Sequence, residues 1–96
     1  KVVDAINNND YEYVYNKLDE TFKTNNFKTL ENFEQYIQNN LYTSANVEFS
    51  NYQNSGELHM FDATFTDKNN ENSNAITKTF IVKLLEGTDF VMSFNV

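Results

Sequence analysis

A three-residue gap near the C-terminus constrains this chain more than any other feature. Residues 75–96, AITKTFIVKLLEGTDFVMSFNV, hold two β-branched and aromatic runs separated by Glu86-Gly87-Thr88. Such a pattern reads as a β-hairpin. In the second run Phe90, Met92, Phe94 and Val96 alternate with Val91, Ser93 and Asn95. In the first, Phe80, Val82 and Leu84 alternate with Thr79, Ile81 and Lys83. A two-residue loop would pair odd positions with even ones and set Phe90 opposite Leu85 or Lys83. A three-residue loop sets Leu84 opposite Phe90, Val82 opposite Met92 and Phe80 opposite Phe94, so both apolar rows share one face. The buried face fixes register, which selects the three-residue loop. The rest of the chain must then cover that face.

Upstream, the period is helical. Val2, Ala5 and Ile6 fall on one face of a helix over residues 1–7, which Asn7-Asn8-Asn9 interrupts. Asn9 and Glu12 have the spacing of a capping box, with Asp10 adding negative charge at the positive end of the dipole. A second helix over residues 10–22 carries the stripe Tyr11, Val14, Tyr15, Leu18 and Phe22, and Tyr13 falls off it toward solvent. Residues 23–28 form a polar connector anchored by Phe27. Thr29 caps a third helix whose stripe is Leu30, Phe33, Ile37 and Leu41, with Tyr36 at its edge and Asn39-Asn40 at its end.

From Thr43 the period falls to two. Val47 and Phe49 mark a first strand, and Gln53-Asn54-Ser55-Gly56 reads as a turn. The strand over residues 57–67 puts His59, Phe61, Ala63 and Phe65 on one face and Leu58, Met60, Asp62, Thr64 and Thr66 on the other. Residues 68–74, KNNENSN, form a polar hairpin loop. The expected fold is α+β: three N-terminal helices packed on one face of a four-stranded antiparallel meander.

A chain of 96 residues makes one domain with one core. Its 9 Phe and 6 Tyr place much of the core volume in rings. A net charge of −7 with only 7 basic residues argues against nucleic acid as a partner and against a polybasic membrane-surface role. The absence of cysteine removes disulfides, thiol catalysis and thiolate metal centres. No apolar run approaches the length of a membrane span. The chain opens at Lys1 already inside a helical pattern, so we expect a domain excised from a larger protein, any membrane attachment coming through an anchor outside it.

Helix, break and helix in AINNNDYEYVY, a third helix, then strands ending in FIVKLLEGTDFVMSF together resemble the nuclear transport factor 2-like superfamily, with its cystatin-like outline. The resemblance is carried by Asn9-Asp10-Tyr11 with Val14 and Tyr15, by Phe33 and Tyr36, and by the final hairpin, and it spans nearly the whole chain. It is strongest for the small extracytoplasmic domains of bacterial surface proteins and lipoproteins. It implies an extracellular or cell-surface setting. It also implies a curved sheet wrapped around a helix as a cone, which can enclose a pocket. The superfamily hosts isomerases, dehydratases and non-enzymatic adaptors, so no activity follows from the fold.

His59 is the first candidate for chemistry, because in enzymes of that superfamily a His or Asp inside the cone does acid–base work. A catalytic histidine needs an orienting carboxylate. Asp62 lies on the opposite strand face and Glu57 at the exposed strand end, so no dyad forms and His59 reads as a rim residue. Tyr15 and Tyr36 are candidate ligand contacts, although a tyrosine on a core stripe more often buries its ring and leaves its hydroxyl to water. Asp67-Lys68-Asn69-Asn70-Glu71 has the look of a calcium loop. Asn72 stands where glycine is required and Lys78 where a bidentate glutamate belongs, so no metal is expected. Gln53-Asn54-Ser55-Gly56 resembles a cystatin inhibitory loop without its central valine. On the outer sheet face, Met60, Ile81 and Val91, with Leu58 and Leu85 near, form a candidate interface with a protein partner or a second copy. The expected role is a non-catalytic interaction or spacer domain without a cofactor. The alternative is a small-apolar-ligand binder, or a degenerate isomerase-like enzyme, using a pocket near His59.

Overall fold

The computed structural model describes residues 2–96, without the side chains of Val2 and Val3. The expected helical positions of Lys1 and of the Val2 side chain therefore lie outside the described residues. Helices α1 (Val2–Asn7), α2 (Tyr11–Asn16), α3 (Glu20–Asn26) and α4 (Leu30–Asn40) precede strands β1 (Ala45–Ser55), β2 (Leu58–Asp67), β3 (Ile76–Leu84) and β4 (Phe90–Phe94). The strands form one antiparallel sheet in the order β1-β2-β3-β4. The α+β class is as expected.

The C-terminal hairpin has the register that the apolar rows demand. Phe80 pairs with Phe94, Val82 with Met92 and Leu84 with Phe90. The Leu85 amide donates to the Asp89 carbonyl at 2.9 Å, which closes the loop on residues 86–88. Gly87 sits there at φ 70°, a left-handed conformation that costs a residue with a Cβ.

The helical half departs from expectation at its caps, its breaks and one tyrosine. Asn9 adopts φ 61°, and the cap of α2 is Asp10, whose carboxylate accepts from the Tyr13 amide. The single helix expected over residues 10–22 is broken into α2 and α3. At the break the Met92 amide donates to the Lys17 carbonyl and the Asp19 amide donates to the Met92 carbonyl, each at 2.8 Å. Leu18 thereby becomes a parallel bridge partner of Met92 on the edge of β4. Asp19 then caps α3 by accepting from the Phe22 amide. That helix consumes most of the expected connector, and Phe27 is buried as its anchor. The third expected helix stands as α4, with the Thr29 hydroxyl capping at the Asn32 amide. Tyr13 is half-buried against the core and not exposed as expected.

The sheet differs in its first hairpin. Gln53, Asn54 and Ser55 are strand residues, and the chain turns at Gly56 and Glu57, Gly56 taking φ 60°. Between Ser50 and Gln53 the register slips: Ser50 faces Asp62 and Gln53 faces Met60. Asn51 and Tyr52 are thus a β-bulge opposite Phe61, with Asn51 at φ 55°.

The core lies between the helices and one face of the sheet. Phe33, Ile37, Leu18 and Val14 from the helical half meet Phe65, Phe80, Met92 and Phe94 from the strands. Rings run through it in contact: Phe80 to Phe94 at 5.5 Å, Phe94 to Phe27 at 6.1 Å and Phe27 to Phe33 at 5.3 Å between centroids. Burying a side chain such as Phe33, fully enclosed here, is worth roughly 1.5–3 kcal/mol.

Candidate functional site

The helices are too short to cover the sheet. The longest, α4, has 11 residues and spans about 16 Å. β2 has 10 residues and runs about 33 Å. The half of the inner face nearest α4 is sealed, and the half toward the Gly56 turn is open. Phe49 on β1 remains 62% exposed and Leu84 on β3 51% exposed, although both belong to the inward-facing rows.

The uncovered half forms a groove with a cavity volume of about 300 Å³. Its walls are Phe49, Phe61, Val82, Leu84 and Phe90, and its floor reaches Met92 and Phe80, with Ile6 of α1 at one side. Phe49 meets Phe61 edge-on at 5.5 Å, and Phe61 stacks on Phe80 at 5.7 Å with their planes 13° apart. The groove's aromatic wall therefore continues into the core. No residue lining it carries a titratable or nucleophilic side chain. A second depression at the bulge shares Phe49 and Phe61 and is bordered by Ser50, Asn51 and Tyr52.

No family model matches the chain, and no curated protein or solved structure does. The site must be read from its own residues.

His59 lies in line with Phe61 on β2 and pairs with Val82, which lines the groove, but His59 itself does not line it. Its Nδ1 is engaged by the Tyr52 hydroxyl, the ring centroids standing 5.8 Å apart, with the Asn54 amide group 3.5 Å away. No carboxylate is among these partners. Asp62 is on the outer face, where Asn51 and Thr79 each donate to its carboxylate at 2.7 Å and hold its pKa below the usual value. Glu57 lies in the turn, 3.9 Å from Lys83. The groove runs level with His59 through its β3 partner Val82, while the His59 ring turns to Tyr52.

Tyr15 and Tyr36 pack against the core. The Tyr15 hydroxyl donates to the Phe27 carbonyl at 2.8 Å, tying α2 to the end of α3. The Tyr36 ring lies 5.1 Å from Phe27 and 5.8 Å from Phe94, with the Lys78 ammonium 5.4 Å from its centroid. Its hydroxyl is buried without a hydrogen-bond partner among the described residues. Neither Tyr15 nor Tyr36 lines the groove.

On the outer face Met60 pairs directly with Ile81, and Val91 pairs with Lys83 one step along. All three apolar residues are half-buried, while Leu58 and Leu85 beside them are 40% and 42% exposed. Their neighbours include the Asp62–Thr79 hydrogen bond and the Glu57–Lys83 pair, so the apolar patch is narrow and polar-rimmed. Among the described residues no cluster of His, Asp or Glu is placed to hold a metal ion, and no helix is long and apolar enough to cross a membrane.

The residues that sequence reasoning missed are Phe49, Leu84 and Phe90 as an open surface. Their inward direction was readable, but their exposure follows from helix length.

Proposed function

We propose that this chain is a non-catalytic binding domain of nuclear transport factor 2-like type, whose working part is the open groove on the inner sheet face. The observation that carries this is the groove's lining: about 300 Å³ walled by aromatic and aliphatic side chains with no acid, base or nucleophile. Acid–base chemistry needs a titratable group within reach of the reacting atom, and His59 is committed to Tyr52 outside the lining. The groove suits apolar side chains of a partner or a small apolar ligand, since such sites gain most from burying apolar surface. The cone-like wrapping of the sheet, the bacterial cell-surface setting and attachment through an anchor outside this segment are supported by the sequence resemblance.

Leu84→Glu tests the reading. Leu84 is half-exposed on the groove wall, so the change leaves the core intact while placing a charge where an apolar group would lie. Nile red, a neutral solvatochromic dye, is expected to bind the parent chain with a blue shift, and the variant about tenfold more weakly. Equal dye binding by the two proteins, or none by the parent, would overturn the assignment.

A further inference from the structure

The groove is bordered by β1, an edge strand of the sheet, and the hydrogen bonds around Ala45 reveal which way its backbone faces. The Asn7 carboxamide accepts from the Ala45 amide at 3.0 Å and donates to the Ala45 carbonyl at 3.2 Å. A single side chain thus satisfies both groups, as a neighbouring strand would. The amide and carbonyl of Ala45 therefore point away from β2. Ser44, one residue earlier, has its carbonyl on the β2 side, accepting from the Lys68 amide at 2.9 Å. In an antiparallel ladder these directions alternate. The register is unbroken from Ala45 through Ser50, so Val47 and Phe49 also point their amides and carbonyls outward. Among the described residues nothing pairs with them. Asn7 closes this edge at one end, and the bulge at Asn51 and Tyr52 ends it at the other. β1 carries no lysine, arginine or proline, so its edge protection is confined to Glu48 and the bulge at Asn51 and Tyr52.

The geometry points to Val47 and Phe49 as a strand-addition site that receives an extended peptide of alternating apolar, basic, apolar sequence. This rests on the groove being the working surface. An antiparallel strand here would exchange two hydrogen bonds with Phe49 and two with Val47. The partner residues opposite them would share their face, so both side chains would lie on the inner side, the first beside exposed Phe49 at the groove mouth. The intervening residue would lie on the outer face opposite Glu48, which is exposed and is the only charge on β1. A cross-strand opposite charge is favoured there. The chain's net charge of −7 opposes a second copy and favours a basic partner.

The test uses a capped peptide, Thr-Thr-Phe-Lys-Val-Thr-Thr, titrated against the chain by fluorescence anisotropy. A Kd tighter than about 1 mM is expected. N-methylation at the peptide's Phe is expected to weaken binding about tenfold or more, because that amide would donate to Phe49. N-methylation at its Lys, whose amide would point away, is expected to change binding by less than about twofold. Replacing the peptide's Lys by Glu should weaken binding about fivefold, and Glu48→Lys should reverse that preference. No binding at about 1 mM, equal losses at the two methylation sites, or indifference to the charge swap would overturn the assignment. Sedimentation showing a dimer of the chain that the peptide does not dissociate would make the occupant a second copy and also overturn it. Nile red binding without peptide binding removes strand addition and leaves the groove reading standing. Peptide binding that Leu84→Glu leaves untouched, with no dye binding, removes the groove reading instead.

Discussion

Lys17 stands where the helical half meets the sheet. Its ammonium is 2.7 Å from the Asp89 carboxylate and 5.1 Å from the centroid of the Phe90 ring. The hydrogen bond to Asp89 raises the Lys17 pKa above its ordinary 10.5. The same hydrogen bond, helped by the Phe90 amide, lowers that of Asp89 below 3.8. A depressed carboxyl contributes stability that is complete above its unfolded value and is lost as pH falls through its folded value. A raised amine contributes stability that is complete below its unfolded value and is lost as pH rises through its folded value. The pair therefore acts across the wide window between those limits. Asp89→Asn keeps an oxygen for the Phe90 amide and removes only the charge. Its urea midpoint should fall below the parent's at neutral pH, and the gap should close in strong acid, above the lysine's range, and in about 1 M salt. A gap constant across pH would mean that the substitution acts through packing. None of this was legible beforehand, because Lys17 and Asp89 are brought together by the docking of residues 17–19 on β4 and not by any local spacing.

Elements whose partners lie in the same pattern were legible, and elements whose partners lie far along the chain were not. The β3–β4 register could be read because both apolar rows and the loop length are local. α4 could be read because its cap, stripe and end are contiguous. The break between α2 and α3 could not, since its cause is Met92, a strand residue near the other end of the chain. The bulge in β1 left a usable trace. The inward row shifts from odd positions at Val47 and Phe49 to even positions at Tyr52 and Asn54, which lie beside His59. A parity change inside one strand signals an extra residue. The same strand supplies a test of how elements are joined. Asn7→Ala strips both hydrogen bonds from the buried Ala45 backbone and should cost about 1–3 kcal/mol in urea unfolding. A loss under about 0.5 kcal/mol would mean that water replaces the carboxamide and α1 does not secure the edge.

For the whole molecule, the two faces of the sheet have different standing. The inner face is continuous with the core and exposes large apolar groups in a groove, and the outer face presents the smaller cluster of Met60, Ile81 and Val91 within a polar rim. If the groove is the working surface, Ile81→Lys should leave both the sedimenting mass and Nile red binding unchanged. A parent dimer that this variant splits would transfer the role to the outer face. The location of the groove was half legible: the strands declared which residues turn inward, and the helices' modest lengths were readable, yet where along the strands they settle depends on tertiary docking. Residues 17–19 dock on β4 through the two Met92 backbone hydrogen bonds. A sheet grows like a zipper, and here one of its two rails is already fastened at Met92 while the other is open only between Asn7's clasp and the bulge. Residues 17–19 thus occupy the β4 edge at Met92, and the Val47–Phe49 stretch of β1 is the edge left for a strand to join. On the proposed strand addition, an incoming strand completes the sheet at β1, on the side away from the Leu18–Met92 bridge.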